Sequence, residues 1–198
     1  MNFMAIEIFL AYILDLILGD PRWFPHPVKG IGWLIKKIET PLREMFGNKR
    51  IAGVILVLSV IGVSWYFSFI IIKLAFSITR YLGSLASIFI IYSALAAKDL
   101  EVESMEVYRP LAKKDITLAR KKLSLIVGRD TGNLGYQELI RAAVETVSEN
   151  IVDGIVSPLF YAFIGGAPLV LAYKAINTLD SMVGYKNERY KDFGWASA

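Results

Sequence analysis

The sequence predicts an all-α fold, a polytopic helical membrane protein with cytoplasmic amphipathic helices. Apolar residues make up 55% of the 198 positions, which is more than a typical soluble domain carries. They are concentrated in uncharged runs, and the run from Ile51 to Ile72 could cross roughly 30 Å of hydrocarbon as a helix. No stretch has a pattern that favours a sheet, and we find no internal repeat. The chain is therefore predicted to form one membrane-embedded domain.

Four segments are apolar enough to enter the membrane. They are residues 3–18, 51–72, 74–97 and 154–173. The first contains Glu7 and Asp15, but it lacks the basic start and the small-residue cleavage site of a signal peptide. We therefore interpret it as a retained first helix. The last segment either spans the membrane or re-enters it, and its sequence alone leaves both alternatives open.

The basic residues predict how the chain is oriented. Seven Lys and Arg residues lie in 19–50 and nine in 98–153, so these two segments hold 16 of the 22. With alternating spans they share one face, which the positive-inside rule makes cytoplasmic. The same rule explains the net charge of +4 without nucleic acid. The predicted location is the cell membrane, crossed several times, with the lipid bilayer as partner.

Residues outside the membrane are predicted to form amphipathic helices. Residues 31–46 have apolar positions on one side, and Pro41 is expected to break or bend this helix. The polar region 98–153 contains a helix that Asp115 can cap and Gly128 can end. A second helix is predicted there from about residue 136 to 152.

Three carboxylates recur at intervals of four residues before the last apolar segment. Glu145, Glu149 and Asp153 lie along one stripe of a helix. Mg²⁺ bound by carboxylates and shared with substrate phosphates would explain acids so close to the membrane. The alternative is a solvated acidic face, in which Arg141 pairs with Glu145.

Polar residues also follow the last apolar segment. Lys174, Asn177, Thr178 and Ser181 share a helical stripe, with Asp180 beside Asn177. These groups could bind phosphate, or orient an amine through Lys174 and an acceptor through Asp180. The alternative is mutual hydrogen bonding between packed helices.

Two charged dipeptides and one histidine complete the candidate groups. Lys98-Asp99 and Arg129-Asp130 each place a cation beside an acid, either for binding anions or as surface charge. His26 is the only histidine, held between two prolines, and could serve as a general acid or base or simply bond to nearby backbone. The chain has no cysteine, so thiolate chemistry is excluded.

Five segments, taken together and in order, carry a resemblance to a known family. They read DLILGDPRWFPHPVKGIG, AAKDL, VGRDT, ETVSENIVDGIVSPLFYAFIGG and YKAINTLDSMVGYKNERYKDFG. The chain resembles the adenosylcobinamide-phosphate synthase family, called CobD or CbiB, from about residue 12 to its last residue. The strings ETVSENIVDG and NTLDSMVGYKNERY are the most specific part of this resemblance.

The resemblance implies a reaction of cobalamin biosynthesis. A propionate of adenosylcobyric acid would be joined to aminopropanol or its O-phosphate, with ATP as co-substrate and Mg²⁺ as cofactor. We infer an acyl-phosphate route, because a free carboxylate is a poor electrophile. Other enzymes of the corrin pathway are possible partners.

Roles for individual residues are inferred from this chemistry. Candidates for catalysis are Asp180, Lys174 and His26, with Asp180 or His26 deprotonating the attacking ammonium. The predicted metal ligands are Glu145, Glu149 and Asp153. The residues predicted to bind substrate or ATP are Lys98, Asp99, Arg129, Asp130, Asn150, Asn177 and Ser181.

Two departures from the family pattern set further expectations. Family members usually continue beyond residue 198, so a C-terminal part is expected to be lacking. In addition, cytoplasmic ATP reaches only one face of the membrane, which favours a re-entrant hairpin for 154–173, interrupted by glycines and prolines. The alternatives from other classes are a non-catalytic transporter, suggested by the acids Glu7 and Asp15, and an AmpE-like signalling protein.

Overall fold

The computed structural model describes residues 3–20, 26–128 and 130–198, and no strand occurs among them. The all-α class predicted from the sequence is confirmed. The helices are α1 (Phe3–Leu18), α2 (Pro27–Met45), α3 (Lys49–Ile78), α4 (Arg80–Tyr92), α5 (Ala97–Ala112), α6 (Ile116–Leu123), α7 (Tyr136–Ile151) and α8 (Ser157–Val183). A π-helical turn, Val152–Val156, joins α7 to α8, and a 3₁₀ turn covers Phe193–Ala196.

The helices α1, α3, α4 and α8 pack around one apolar core. Three helical stretches of the described chain are long and apolar enough to cross a membrane: Lys49–Ile78, Arg80–Ala112 and Tyr136–Val183. Large apolar side chains also point outward along α3, where Leu58 is 66% exposed and Phe67 61%. Water would penalise so much exposed apolar surface, whereas lipid does not. The fold is therefore that of a helical membrane protein.

The boundary between α3 and α4 lies at Thr79, six residues later than the predicted break. The extended backbone of Thr79 ends α3, and its hydroxyl oxygen accepts a hydrogen bond of 3.1 Å from the backbone N–H of Leu82. Threonine is a favourable N-cap because it satisfies such an amide. Residues 74–78 consequently belong to α3.

The helix α2 is longer than predicted and runs through Pro41 without a break. It packs on α3 and α8 through a buried face that includes Ile31 and Ile35. The buried carboxylate of Glu39 pairs with Arg43 at 2.9 Å and with Arg189 at 3.2 Å. The C-terminal segment is thereby fixed to this helix, and the guanidinium of Arg43 also stacks on the ring of Phe193 at 3.9 Å.

The helices α5, α6 and α7 form a separate lobe with its own small core. Asp115 caps α6, as predicted, by accepting a hydrogen bond of 3.0 Å from the N–H of Leu118. The helix ends at Leu123, five residues before Gly128. The buried members of this core are Val107, Leu111, Ala119, Leu123, Leu139 and Ala142.

The chain reverses direction within α8, at Gly165 and Gly166. Gly166 has φ +65° and ψ −162°, a conformation that side-chain-bearing residues essentially never adopt. After the reversal, the rings of Tyr161 and Tyr173 stack with centroids 5.0 Å apart. In a straight helix these residues would be separated by about 18 Å. Residues 152–183 thus form a helical hairpin whose two open ends lie side by side.

The hydrogen bond of the π turn at the start of this hairpin spans five residues, one more than in an α-helix. Its closing hydrogen bond runs from the N–H of Ser157 to the carbonyl of Val152. The N–H of Ala96 donates a 3.0 Å hydrogen bond to the carbonyl of Gly154, which fastens the turn to the start of α5. A π turn inside a helix commonly marks a functional site.

The hairpin predicts a cross-link. The chain has no cysteine, so the double variant Tyr161→Cys/Tyr173→Cys carries only the two new thiols. We expect a short bifunctional thiol reagent to join them within one chain, measured by mass spectrometry of the digest. The pair Trp65→Cys/Ser77→Cys has the same spacing in the straight helix α3 and should stay unlinked. Equal yields from the two pairs would contradict the hairpin.

Candidate functional site

Polar groups from six parts of the chain meet where the membrane bundle joins the α5–α7 lobe. The end of α1 contacts the start of α5, because the N–H of Asp20 donates to Asp99 Oδ1 at 3.3 Å. The hydroxyl of Tyr92 donates to the carbonyl of Gly19 at 2.5 Å. The start of α2, the π turn and the second half of α8 complete the group. We call this group the junction site.

His26 occupies the N-cap position of α2. Its Nδ1 accepts a hydrogen bond of 3.3 Å from the N–H of Val28, so Nδ1 carries no proton in this arrangement. Its Nε2 lies 3.2 Å from Oδ2 of Asp20. Burial lowers the pKa of His26, and the nearby charges of Lys174 and Lys29 add to this effect, while Asp20 and Asp99 oppose it. His26 therefore acts here as a neutral cap that orients Asp20.

The hairpin brings Asp153 next to the helical limb that follows the reversal. The Asp153 carboxylate accepts hydrogen bonds from the hydroxyl of Tyr173 and from Nδ2 of Asn177, both at 3.3 Å. Lys174 lies between these two residues in sequence and is partly buried. Asp153, Asp20 and Asp15 all act electrostatically on Lys174. The result is one ammonium group near three carboxylates.

Several residues predicted to bind substrate or ATP make local contacts in the structure. Lys98 pairs with Glu101 at 2.8 Å, and the Asp130 carboxylate accepts from the N–H of Gly132 at 2.9 Å. Asn150 donates to the carbonyl of Thr146 at 2.9 Å, one turn earlier on α7. Ser181 and Asp180 are exposed at the end of α8, where the Ser181 hydroxyl donates to the carbonyl of Asn177. Arg129 lies outside the described residues.

The three acids predicted to hold a metal are not gathered at one point. Glu145 and Glu149 are exposed on α7, whereas the Asp153 carboxylate is directed at Tyr173 and Asn177. Across 3–20, 26–128 and 130–198, no three His, Asp or Glu side chains are grouped in a way that could hold a metal ion. Glu145, Glu149 and Asp153 therefore do not fit a preformed three-carboxylate Mg²⁺ site.

An apolar cavity of about 840 Å³ opens beside the junction site. It lies between α2, α3 and α4, and His26 and Lys29 line it together with apolar and aromatic side chains. Among those side chains are Trp33, Phe67, Ile71 and Phe89. Its volume falls in the range typical of small-molecule sites. A large, partly apolar ligand could thus lie against His26.

Sequence reasoning missed Asp15, Asp20, Tyr92 and Tyr173 as members of the site. From the sequence, Asp15 was interpreted only as an acid within a membrane helix. Asp15 reaches the N–H of Ala97, 82 positions away, at 2.7 Å. Its isolation in an apolar helix was the available signal, because buried acids near a membrane need partners.

These features define a class: a helical membrane protein with a polar site where its bundle meets the lobe formed by α5, α6 and α7. The model of the CobD/CbiB protein family matches residues 8–198, and the chain belongs to that family. No solved structure matches the chain.

Curated relatives match over almost the whole chain. The cobalamin biosynthesis protein CobD of Halalkalibacterium halodurans is 52% identical over 195 residues, 98% of this chain and 60% of the relative. CobD of Geobacter metallireducens is 50% identical over 188 residues, 95% of this chain and 59% of the relative. CbiB of Salmonella typhimurium is 47% identical over 192 residues, 96% of this chain and 60% of the relative. The chain thus spans about three fifths of these relatives.

The capping role of His26 predicts a pH-dependent stability. Because burial lowers its pKa in the folded protein, the folded state is penalised as pH falls below the unfolded value of about 6.5. His26→Asn keeps a cap acceptor but cannot titrate. We expect the melting temperature of the unmodified protein to fall more than that of the variant between pH 7.5 and pH 5, measured by thermal unfolding in detergent. Parallel pH profiles would contradict this role.

Proposed function

We propose that this protein acts in cobalamin biosynthesis, as the names of its relatives state for them. Its reaction would join a propionate of adenosylcobyric acid to aminopropanol or its O-phosphate. The observation that supports an enzyme is the junction site, where four of the motifs of the resemblance converge although they are far apart in sequence. Its place would be the cell membrane, crossed several times.

The proposed reaction has two steps, formation of an acyl phosphate and its attack by an amine. An oxygen of the propionate attacks the γ-phosphorus of ATP, the bond to ADP breaks, and an acyl phosphate forms. A base takes one proton from the ammonium of aminopropanol, the resulting amine attacks the acyl carbon, and inorganic phosphate leaves with the second nitrogen proton. The product is adenosylcobinamide or its phosphate.

Among the described residues, Lys174 is the cation best placed to stabilise the negative charge of the phosphate groups in this reaction. It is partly buried, and Asp153, Asp20 and Asp15 lie near enough to act on it electrostatically. An ammonium group in such a site can neutralise the charge that develops as phosphate is transferred or leaves. Asp153 and Asn177, which are hydrogen-bonded to each other, would hold the neighbouring part of the substrate in place.

Two residues are candidates for the base that deprotonates the ammonium of aminopropanol: Asp180 and His26. Nδ1 of His26 accepts from Val28, and Nε2 is directed at Asp20, so His26 has no free lone pair in this arrangement. Asp180 is exposed at the end of α8. Asp180 is therefore the better candidate for taking the proton of the amine.

ATP and Mg²⁺ belong to the proposal as well. Mg²⁺ at such sites is usually held by substrate phosphates with one or two carboxylates, so a three-acid cage is not required. We assign no step to the metal, because the acids of α7 do not converge. The residues that stay candidates for binding substrate or ATP are Lys98, Asp99, Arg129, Asp130, Asn150, Asn177 and Ser181.

The hairpin and the cavity support this proposal in different ways. Because the chain reverses at Gly165 and Gly166, Asp153 and Asn177 lie at the same end of the hairpin, where one nucleotide could reach both. The adjacent cavity of about 840 Å³ offers room for the apolar flank of a corrin ring. Both features fit a corrinoid substrate that is handled at the membrane surface.

Replacing Lys174 tests the proposed chemistry. The purified protein in detergent would receive adenosylcobyric acid, aminopropanol phosphate, ATP and Mg²⁺, with amide product measured by mass spectrometry. We expect Lys174→Gln to lower kcat about 100-fold, since one lost charge-stabilising group costs roughly that much. The matched control is Lys36→Gln, an exposed lysine of α2, which should keep full activity. No product from the unmodified protein would favour the transporter class instead.

Replacing Asp153 tests the carboxylate of the π turn. We expect Asp153→Asn to lower kcat by about 100-fold in the same assay, because the acid that contacts Tyr173 and Asn177 loses its charge. Glu149→Gln, one turn earlier, separates two interpretations. An equal loss in both variants would support a metal site shared by the three acids, and a loss in Asp153→Asn alone would restrict the function to Asp153.

A further inference from the structure

The first turn of α5 receives its hydrogen-bond acceptor from another helix. The N-cap residue of α5 is Ala96, whose side chain cannot accept a hydrogen bond. The first amides of a helix nevertheless need acceptors, particularly where water is scarce. Asp15, near the end of α1, supplies one: its Oδ2 accepts from the N–H of Ala97 at 2.7 Å, and its carboxylate also faces the N–H of Lys98.

The Asp15 carboxylate is almost completely enclosed. The residue is only 1% exposed, although it carries a charge-bearing group. Burial of an acid is costly unless hydrogen bonds compensate for the lost water. Two backbone amides at a helix N-terminus, with the helix dipole behind them, provide that compensation. Asp15 therefore fixes the start of α5 firmly against α1.

Three components of the junction site depend on where α5 starts. The side chain of Asp99 accepts from the N–H of Asp20, which in turn contacts His26. The N–H of Ala96 bonds to the carbonyl of Gly154, the neighbour of Asp153. A shift of the first turn of α5 would move each of these groups relative to Lys174.

We infer that Asp15 is a positioning residue: its carboxylate sets the first turn of α5 and thereby the placement of Asp20, Asp99 and Asp153 around Lys174. This inference rests on the proposed function for its kinetic consequence. Its structural consequence, the protection of two backbone amides, can be measured without any reaction.

The test compares Asp15→Ala, Asp15→Asn and the control Glu7→Gln, an acid two turns earlier on α1. A displacement of about 1 Å at an active site can cost 100-fold in rate. We expect Asp15→Ala to lower kcat about 100-fold while KM for aminopropanol phosphate changes less than about threefold. Asp15→Asn keeps one acceptor for Ala97 but turns an amide donor toward Lys98, so a loss of about tenfold is expected. Glu7→Gln should match the unmodified protein.

Hydrogen exchange read out by mass spectrometry gives the second measurement. We expect the peptide that covers residues 94–101 to exchange fastest in Asp15→Ala and at an intermediate rate in Asp15→Asn. Melting temperatures of Asp15→Asn and the unmodified protein should agree within a few degrees, so that its lower kcat does not reflect unfolding. The graded order of kcat and exchange among the variants is a signature that general destabilisation would not produce.

The two hypotheses can fail separately. If the unmodified protein forms no amide, the proposed function fails, and the exchange data still decide the role of Asp15. If Asp15→Ala leaves exchange of residues 94–101 unchanged, or keeps full kcat, the positioning role is overturned. If Asp15→Asn loses as much activity as Asp15→Ala while its exchange stays protected, the charge of Asp15 matters rather than its position, and the inference is again overturned.

Discussion

The reversal of the chain at Gly165 and Gly166 is the constraint on which the junction site depends. In a straight helix, Asp153 and Asn177 would lie about 36 Å apart, farther than the hydrocarbon core of a membrane is thick. The reversal instead places their side chains in hydrogen-bond contact. The required backbone conformation at Gly166 excludes a side chain, so two glycines in the middle of an apolar segment determine where polar groups meet.

A second feature of this fold is that each buried carboxylate is paired with a group that compensates its charge. Asp15 is buried against the backbone N–H of Ala97, and Glu39 is buried against two arginines. Leaving such a group without its partner typically costs several kcal/mol. Asp15 is therefore compensated by a residue 82 positions away, and Glu39, through Arg189, ties residues near 189 to α2.

Much of the fold could be predicted from local pattern, because helix periodicity and long apolar runs are properties of consecutive residues. α1, α7 and the Asp115 cap follow from such signals. The α3 boundary at Thr79 was missed because the uncharged run ends at Lys73, whereas the helix continues through this lysine to the cap at Thr79. The glycines and prolines of 154–173 permitted a hairpin without requiring one, so only the three-dimensional structure reveals the contact between Asp153 and Asn177.

The candidate site was harder to predict, since its members are brought together by packing rather than by spacing. A stripe along one helix suggested that Glu145, Glu149 and Asp153 act together, yet the structure directs Asp153 across the hairpin instead. The link between Asp15 and Ala97 joins residues 82 positions apart and leaves no periodic trace. Such contacts depend on how helices cross, which no single segment encodes.

The π turn at Val152–Val156 has an evolutionary consequence. A π turn can be regarded as one residue inserted into an α-helix, and each residue of a helix corresponds to about 100° of rotation. Losing one residue there would restore regular helix and swing the first limb of the hairpin by that angle, carrying Asp153 away from its neighbours. Lineages that keep this site should thus tolerate replacements within the segment far more readily than changes in its length.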